Sequence, residues 1–154
     1  MSNDNKIENR ALKSLINVNE DAAEFYETAQ EKVEDETMIS TFKSLEGLHV
    51  SVITNLQGIL ASNGETDVEA DETITGSTRE MFATMMAKVS NDPDAMLVTH
   101  LEEAEDKCLH YIKDAMENED ISPSTKTALQ NELTSLQKSH DYMKALKDQM
   151  QAAA

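Results

Sequence analysis

The chain has 154 residues and a formal net charge of −17 at pH 7, enough length for one domain with its own core and a charge that argues against nucleic-acid phosphates as partners. Apolar residues make up 39% and aromatics 4%, with 4 Gly, 2 Pro, 1 Cys and no Trp; so few turn formers argue against many short strands, and a lone cysteine excludes an internal disulfide framework. Residues 1–11, MSNDNKIENRA, lack the apolar stretch of a secretory signal, and no run reaches the ~20 apolar residues of a membrane span, so the expected setting is cytoplasmic, without a membrane partner.

Four segments carry apolar residues at the three-and-four spacing of a helix. The first is expected from about Glu8 to Glu34, with residues 1–7 frayed, and its stripe is Leu12, Leu15, Ile16, Asn19, Ala22, Ala23, Tyr26, Ala29 and Val33. The second follows a break at Glu34-Asp35-Glu36-Thr37 and carries Ile39, Phe42, Leu45, Glu46, His49, Val52, Ile53, Leu56 and Leu60. Ser62-Asn63-Gly64 reads as its left-handed C-terminal cap. The acidic stretch from Glu65 to Gly76 reads as a solvated loop, without the ligand spacing of a calcium loop.

A short extra helix is expected over about residues 77–90, with Met81, Phe82, Met85 and Met86 on one face. Burial over the bundle is the favoured fate of that face; the alternative is a patch for a homodimer or another protein. Asp92 and Pro93 then start the third long helix as N-cap and first helical residue; it carries Leu97, Leu101, Ala104, Glu105, Cys108, Ile112, Ala115 and Met116. Ser122 and Pro123 start the fourth in the same way, with the stripe Leu129, Leu133, Leu136, His140, Met143 and Lys147, and residues 151–154 frayed.

Short links make antiparallel hairpins of helices 1–2 and 3–4. The 63–93 connection is long enough to travel back along a helix of ~39 Å. The expected fold is therefore all-α: one domain over residues 1–154, a four-helix bundle of two hairpins joined by a long crossover that carries the short helix. That is the ferritin-like arrangement.

Bundles of that kind hold metal with inward carboxylates and Glu-x-x-His pairs, because residues three apart on a helix point the same way. Helix 2 supplies Glu46-Gly47-Leu48-His49, and helix 4 supplies Gln137-Lys138-Ser139-His140 at the equivalent phase, with an amide where a carboxylate is needed. Helix 3 supplies Glu105, whereas Asn19 holds the centre of helix 1. The candidate metal ligands are Glu46, His49, Glu105 and His140, with Asn19 and Gln137 as further neighbours. Zinc or iron as a single ion suits that mixed nitrogen and oxygen set. The alternative is that the two histidines are core residues hydrogen-bonded across the bundle. Cys108 reads as a small core residue rather than a nucleophile, and Tyr26, Tyr111 and Tyr142 as packing residues with a polar tip.

Leu15-Ile16, the run Asp21-Ala22-Ala23-Glu24-Phe25-Tyr26, Gly64, Glu102 with Glu105-Asp106, and Ser139-His140-Asp141 together resemble an uncharacterised family of bacterial four-helix-bundle proteins in the ferritin-like superfamily. The resemblance spans about Ala11 to Asp148 and implies a bundle without an established activity. In ferritin-like proteins with working iron sites a helix-1 Glu lies seven residues before a core Tyr; here Asn19 lies seven before Tyr26. Only Glu46, His49, Glu105 and His140 carry over. The reading that results is a non-catalytic bundle without a cofactor, a stress-associated binding or interaction protein with a degenerate metal site, rather than an enzyme. The alternative is an iron-handling or oxidase-like protein, mononuclear or di-iron-like.

Overall fold

In the computed structural model, which describes residues 3–65 and 92–153, four helices account for nearly every described residue and no described residue is in a strand. They are α1 (Asn3–Lys32), α2 (Glu36–Ser62), α3 (Pro93–Glu117) and α4 (Pro123–Ala153). None is long and apolar enough to cross a membrane. The expected short helix over 77–90, with Met81, Phe82, Met85 and Met86, lies outside the described residues, as does most of the crossover.

The helix ends follow from the residues that cap them. Asp35 accepts from the Met38 amide at 3.0 Å and Asp92 from the Ala95 amide at 3.1 Å, each satisfying an orphan donor in the first turn. The Ser122 hydroxyl does the same for Thr125. Asp92 and Ser122 each precede a proline whose missing N–H costs the helix nothing at that position. At the far end of α2, Gly64 has φ 81°. The Glu65 amide reaches back to Leu60 O and the Gly64 amide to Ala61 O, each at 3.0 Å, which closes the helix in a Schellman motif.

Two expected boundaries move outward. α1 begins at Asn3 rather than Glu8, and the residues at its expected start are held from outside the helix. Glu8 is buried and accepts from the Asn63 side chain at 2.7 Å and the Ser122 amide at 2.9 Å, and buried Asn9 also accepts from Asn63. α4 runs on to Ala153 through Gln and Ala residues of high helix propensity.

Contacts between helices fix their directions. Glu8 of α1 meets Asn63 at the end of α2 and Ser122 just before α4. Tyr26 meets Phe42 near the start of α2 and Glu105 in the middle of α3. α2 and α3 therefore each run antiparallel to α1, and so parallel to one another. α1 packs on α2 and α3, and α4 packs on α3 and, less closely, on α2.

The interior holds two apolar clusters. One gathers Leu12, Leu15, Ile16, Val52, Leu56, Leu60, Cys108, Ile112, Leu129 and Leu136 with their neighbours. The other gathers Tyr26, Ala29, Val33, Phe42, Leu97, Val98, Leu101 and Met143. A buried polar residue stands between them in sequence on α2, α3 and α4, namely His49, Glu105 and Ser139, and on α1 Asn19 stands within the first cluster, between Ile16 and Ala22.

Candidate functional site

The four helices converge on the Glu105 carboxylate. Its Oε1 accepts from three groups: His49 Nε2 at 2.6 Å, the Tyr26 hydroxyl at 2.6 Å and the Ser139 hydroxyl at 2.7 Å. His49 Nδ1 lies 2.7 Å from Asn19 Oδ1, while the Asn19 amide nitrogen donates to Leu15 O at 2.8 Å. That second bond fixes the orientation of the Asn19 amide, so Oδ1 is the acceptor and His49 Nδ1 carries a proton. Asn19, His49 and Glu105 are each 0% exposed, and the Tyr26 ring stacks on the His49 ring with centroids 5.8 Å apart.

The charges follow from these bonds. Burial pushes the Glu105 carboxyl up, but the hydrogen bond from His49, its charge, and the bonds from Tyr26 and Ser139 outweigh burial and hold it below its ordinary 4.5. Glu105 is therefore the anion, and the proton in its short contact with His49 sits on Nε2. Burial first, and then the neighbouring Glu105 charge, push the Tyr26 phenol well above its ordinary 10.0, so it stays a donor. Burial likewise raises the Cys108 thiol far above 9.0, with the Glu105 and Asp21 charges adding to it. Its Sγ donates to Val18 O at 3.3 Å, and a thiol so held is no nucleophile.

His140 goes elsewhere. Leu129, Leu136 and Met143 set the buried row of α4 seven residues apart, and its second buried row is Thr125, Glu132 and Ser139, not Leu133 and His140. Position 132 is retained inside by the Asn55 amide, which donates to Glu132, and position 139 by Glu105. His140 lies one residue round, in the groove between α3 and α4. There Nε2 is 3.2 Å from Asp106 Oδ1 and 3.8 Å from Glu102 Oε1, and Nδ1 is 3.2 Å from Asp141 Oδ1. Glu102 also accepts from Lys147 at 3.4 Å, and Asp141 from the Gln137 side chain at 2.9 Å.

Of the expected ligands, the fold thus brings His49 and Glu105 together with Asn19. Glu46 is half-buried and accepts from Gln30 at 3.3 Å, Gln137 bonds Asp141, and His140 faces Glu102 and Asp106. Residue patterns gave no signal for Ser139 as a core donor or for Glu102 and Asp106 as partners of His140. Tyr26 was legible as a core residue but not as a donor to Glu105. Tyr111 and Tyr142 are exposed, at 36% and 49%.

The core does not fit a bound transition metal. A ligating histidine needs a free nitrogen lone pair, and both His49 nitrogens are committed, one to an amide oxygen and one to the carboxylate. Glu105 Oε2 is buried without a hydrogen-bond partner and is one oxygen, where a metal needs three or four donors.

The model of a family described as a domain of unknown function (DUF2383) matches residues 8–118. That stretch holds α1 from Glu8 on, α2 and α3, with Asn19, Tyr26, His49 and Glu105, and stops short of Ser139 and His140. No curated protein and no solved structure matches the chain.

Proposed function

The chain belongs to this DUF2383 family of unknown function, and from that premise we propose that it is a non-catalytic helical bundle on a ferritin-like scaffold. It acts as a binding or interaction protein, and side-chain hydrogen bonds have taken over the position of a core metal. Two antiparallel hairpins with α2 parallel to α3 support the scaffold reading. The observation that carries the functional reading is the closed network around Glu105 Oε1. Three donors from three other helices converge on one oxygen, and the Asn19 amide occupies the remaining His49 nitrogen. Glu105 Oε2 is left without a partner, one oxygen where an ion needs three or four donors.

A buried ion pair tied to four helices is better suited to specifying one packing than to adding net stability, since burial removes both charges from water. The network would hold the helices in one register, leaving the surface to make the contacts that matter. The test is aerobic iron(II) oxidation followed by absorbance, with wild type and the His140→Ala variant. Neither should oxidise iron faster than buffer alone. Oxidation that His140→Ala retains and His49→Gln abolishes would contradict the reading.

A further inference from the structure

We infer that the groove between α3 and α4 is a divalent transition-metal site, formed by Glu102, Asp106 and His140. One oxygen from each carboxylate and one ring nitrogen lie within 4.8 Å of one another. Ligands about 2.0–2.2 Å from a four-coordinate ion stand roughly 3.3–3.6 Å from each other. His140 Nε2 is 3.2 Å from Asp106 Oδ1 and 3.8 Å from Glu102 Oε1, a spacing that brackets the value an ion imposes. Only small side-chain adjustments separate this arrangement from a coordination shell.

The surroundings are those a ligating histidine has. His140 Nδ1 faces Asp141 Oδ1; in the tautomer that donates its N–H there, the lone pair of Nε2 is aimed at the two carboxylates. A carboxylate on the far nitrogen is the usual outer partner of a metal-bound imidazole. Gln137 holds Asp141, and Lys147 holds the Glu102 oxygen that the site does not use. Glu102 and Asp106 are four apart on one helix, where like charges repel, and a cation between them relieves that repulsion. The exposures suit a labile ion: Glu102 and His140 are 14% and 12% exposed, while Asp106, at 70%, forms the open rim. One imidazole with two carboxylates selects zinc, iron(II) or manganese over magnesium, and the net charge of −17 raises the local concentration of any cation.

Zinc(II) and cobalt(II), each alone, titrated calorimetrically into the metal-free full chain, test this. One equivalent should bind, and cobalt should show the visible absorption of a low-coordinate site. His140→Ala should weaken binding about 100-fold or more, since loss of an outer partner alone costs 10–100-fold. Asp141→Ala should weaken it about tenfold, and Asp141→Asn, which keeps an acceptor oxygen, should recover most of that. His110→Ala, an exposed imidazole elsewhere on α3 beside Asp114, should change nothing. Circular dichroism confirms that each variant folds, and Glu102→Gln with Asp106→Asn gives a second route that keeps the imidazole. The inference is overturned if wild type shows no saturable binding, if magnesium displaces zinc at equal concentration, or if binding survives His140→Ala. That last outcome, with loss in His49→Gln, would point to the core and contradict the closed network instead.

Discussion

His49 and His140 both reach toward carboxylates of α3, and Glu105 and Asp106, their partners, are consecutive residues. The core imidazole spends both nitrogens on protein groups, under full burial, against a carboxylate that three donors surround. The groove imidazole meets carboxylates on both nitrogens, partly open to water. Residue type alone therefore says little about metal binding. What decides is whether the polar valences are closed by the fold or left for an ion.

The comparison can be broken most severely in the core. Glu105→Ala strands His49, Tyr26 and Ser139 without their shared acceptor, and truncating one partner of a buried pair costs about 3–5 kcal/mol. Urea denaturation should show a loss of that size; a loss below about 1 kcal/mol would mean that the network contributes nothing beyond a surface pair.

Acid should remove part of the same contribution. Glu105 has a native pKa below its ordinary 4.5, so its pairing stabilises fully above that value. The contribution is lost as the pH falls below 4.5 and through the depressed native value. Glu8 acts in the same direction: burial raises its carboxyl, but the bonds from Ser122 and Asn63 outweigh burial and lower it. Unfolding free energy measured from pH 6 downward should therefore fall, and fall less steeply in Glu105→Gln.

Tyr26→Phe keeps the ring and removes one donor to a charged acceptor, for an expected cost of about 1.5–3 kcal/mol. Gly64→Ala forces a side chain into left-handed backbone and should cost about 1–2 kcal/mol. His140→Ala in metal-free protein should cost least, under about 1 kcal/mol, because its ion pairs are partly solvated. Thermal denaturation of the metal-free variants ranks these three.

The sequence made much of this legible, and its failures have a physical pattern. The four helices followed from periodicity, and Asp92 and Ser122 cap two of them because those residue types satisfy orphan amides. Asn19, His49 and Glu105 were readable as inward because apolar residues flank them at helical spacing on both sides. Position 139 was not. Apolar residues seven apart leave the second row of α4 open to either the 132 and 139 pair or the 133 and 140 pair, and Leu133 with His140 is the more apolar choice. The fold takes Glu132 and Ser139 because Asn55 and Glu105 bond them, long-range partners that no local window contains. The groove cluster was hidden for the same reason, since it depends on how α4 turns against α3.

The contrast between a closed core and an open groove is tested most directly on the wild-type protein by histidine side-chain nitrogen–proton correlation spectra recorded during a zinc titration. The account predicts that the His140 ring resonances shift saturably with one equivalent, while both ring N–H protons of His49 stay in place, slow to exchange. Zinc-dependent movement or loss of the His49 protons with the His140 signals unmoved would contradict it.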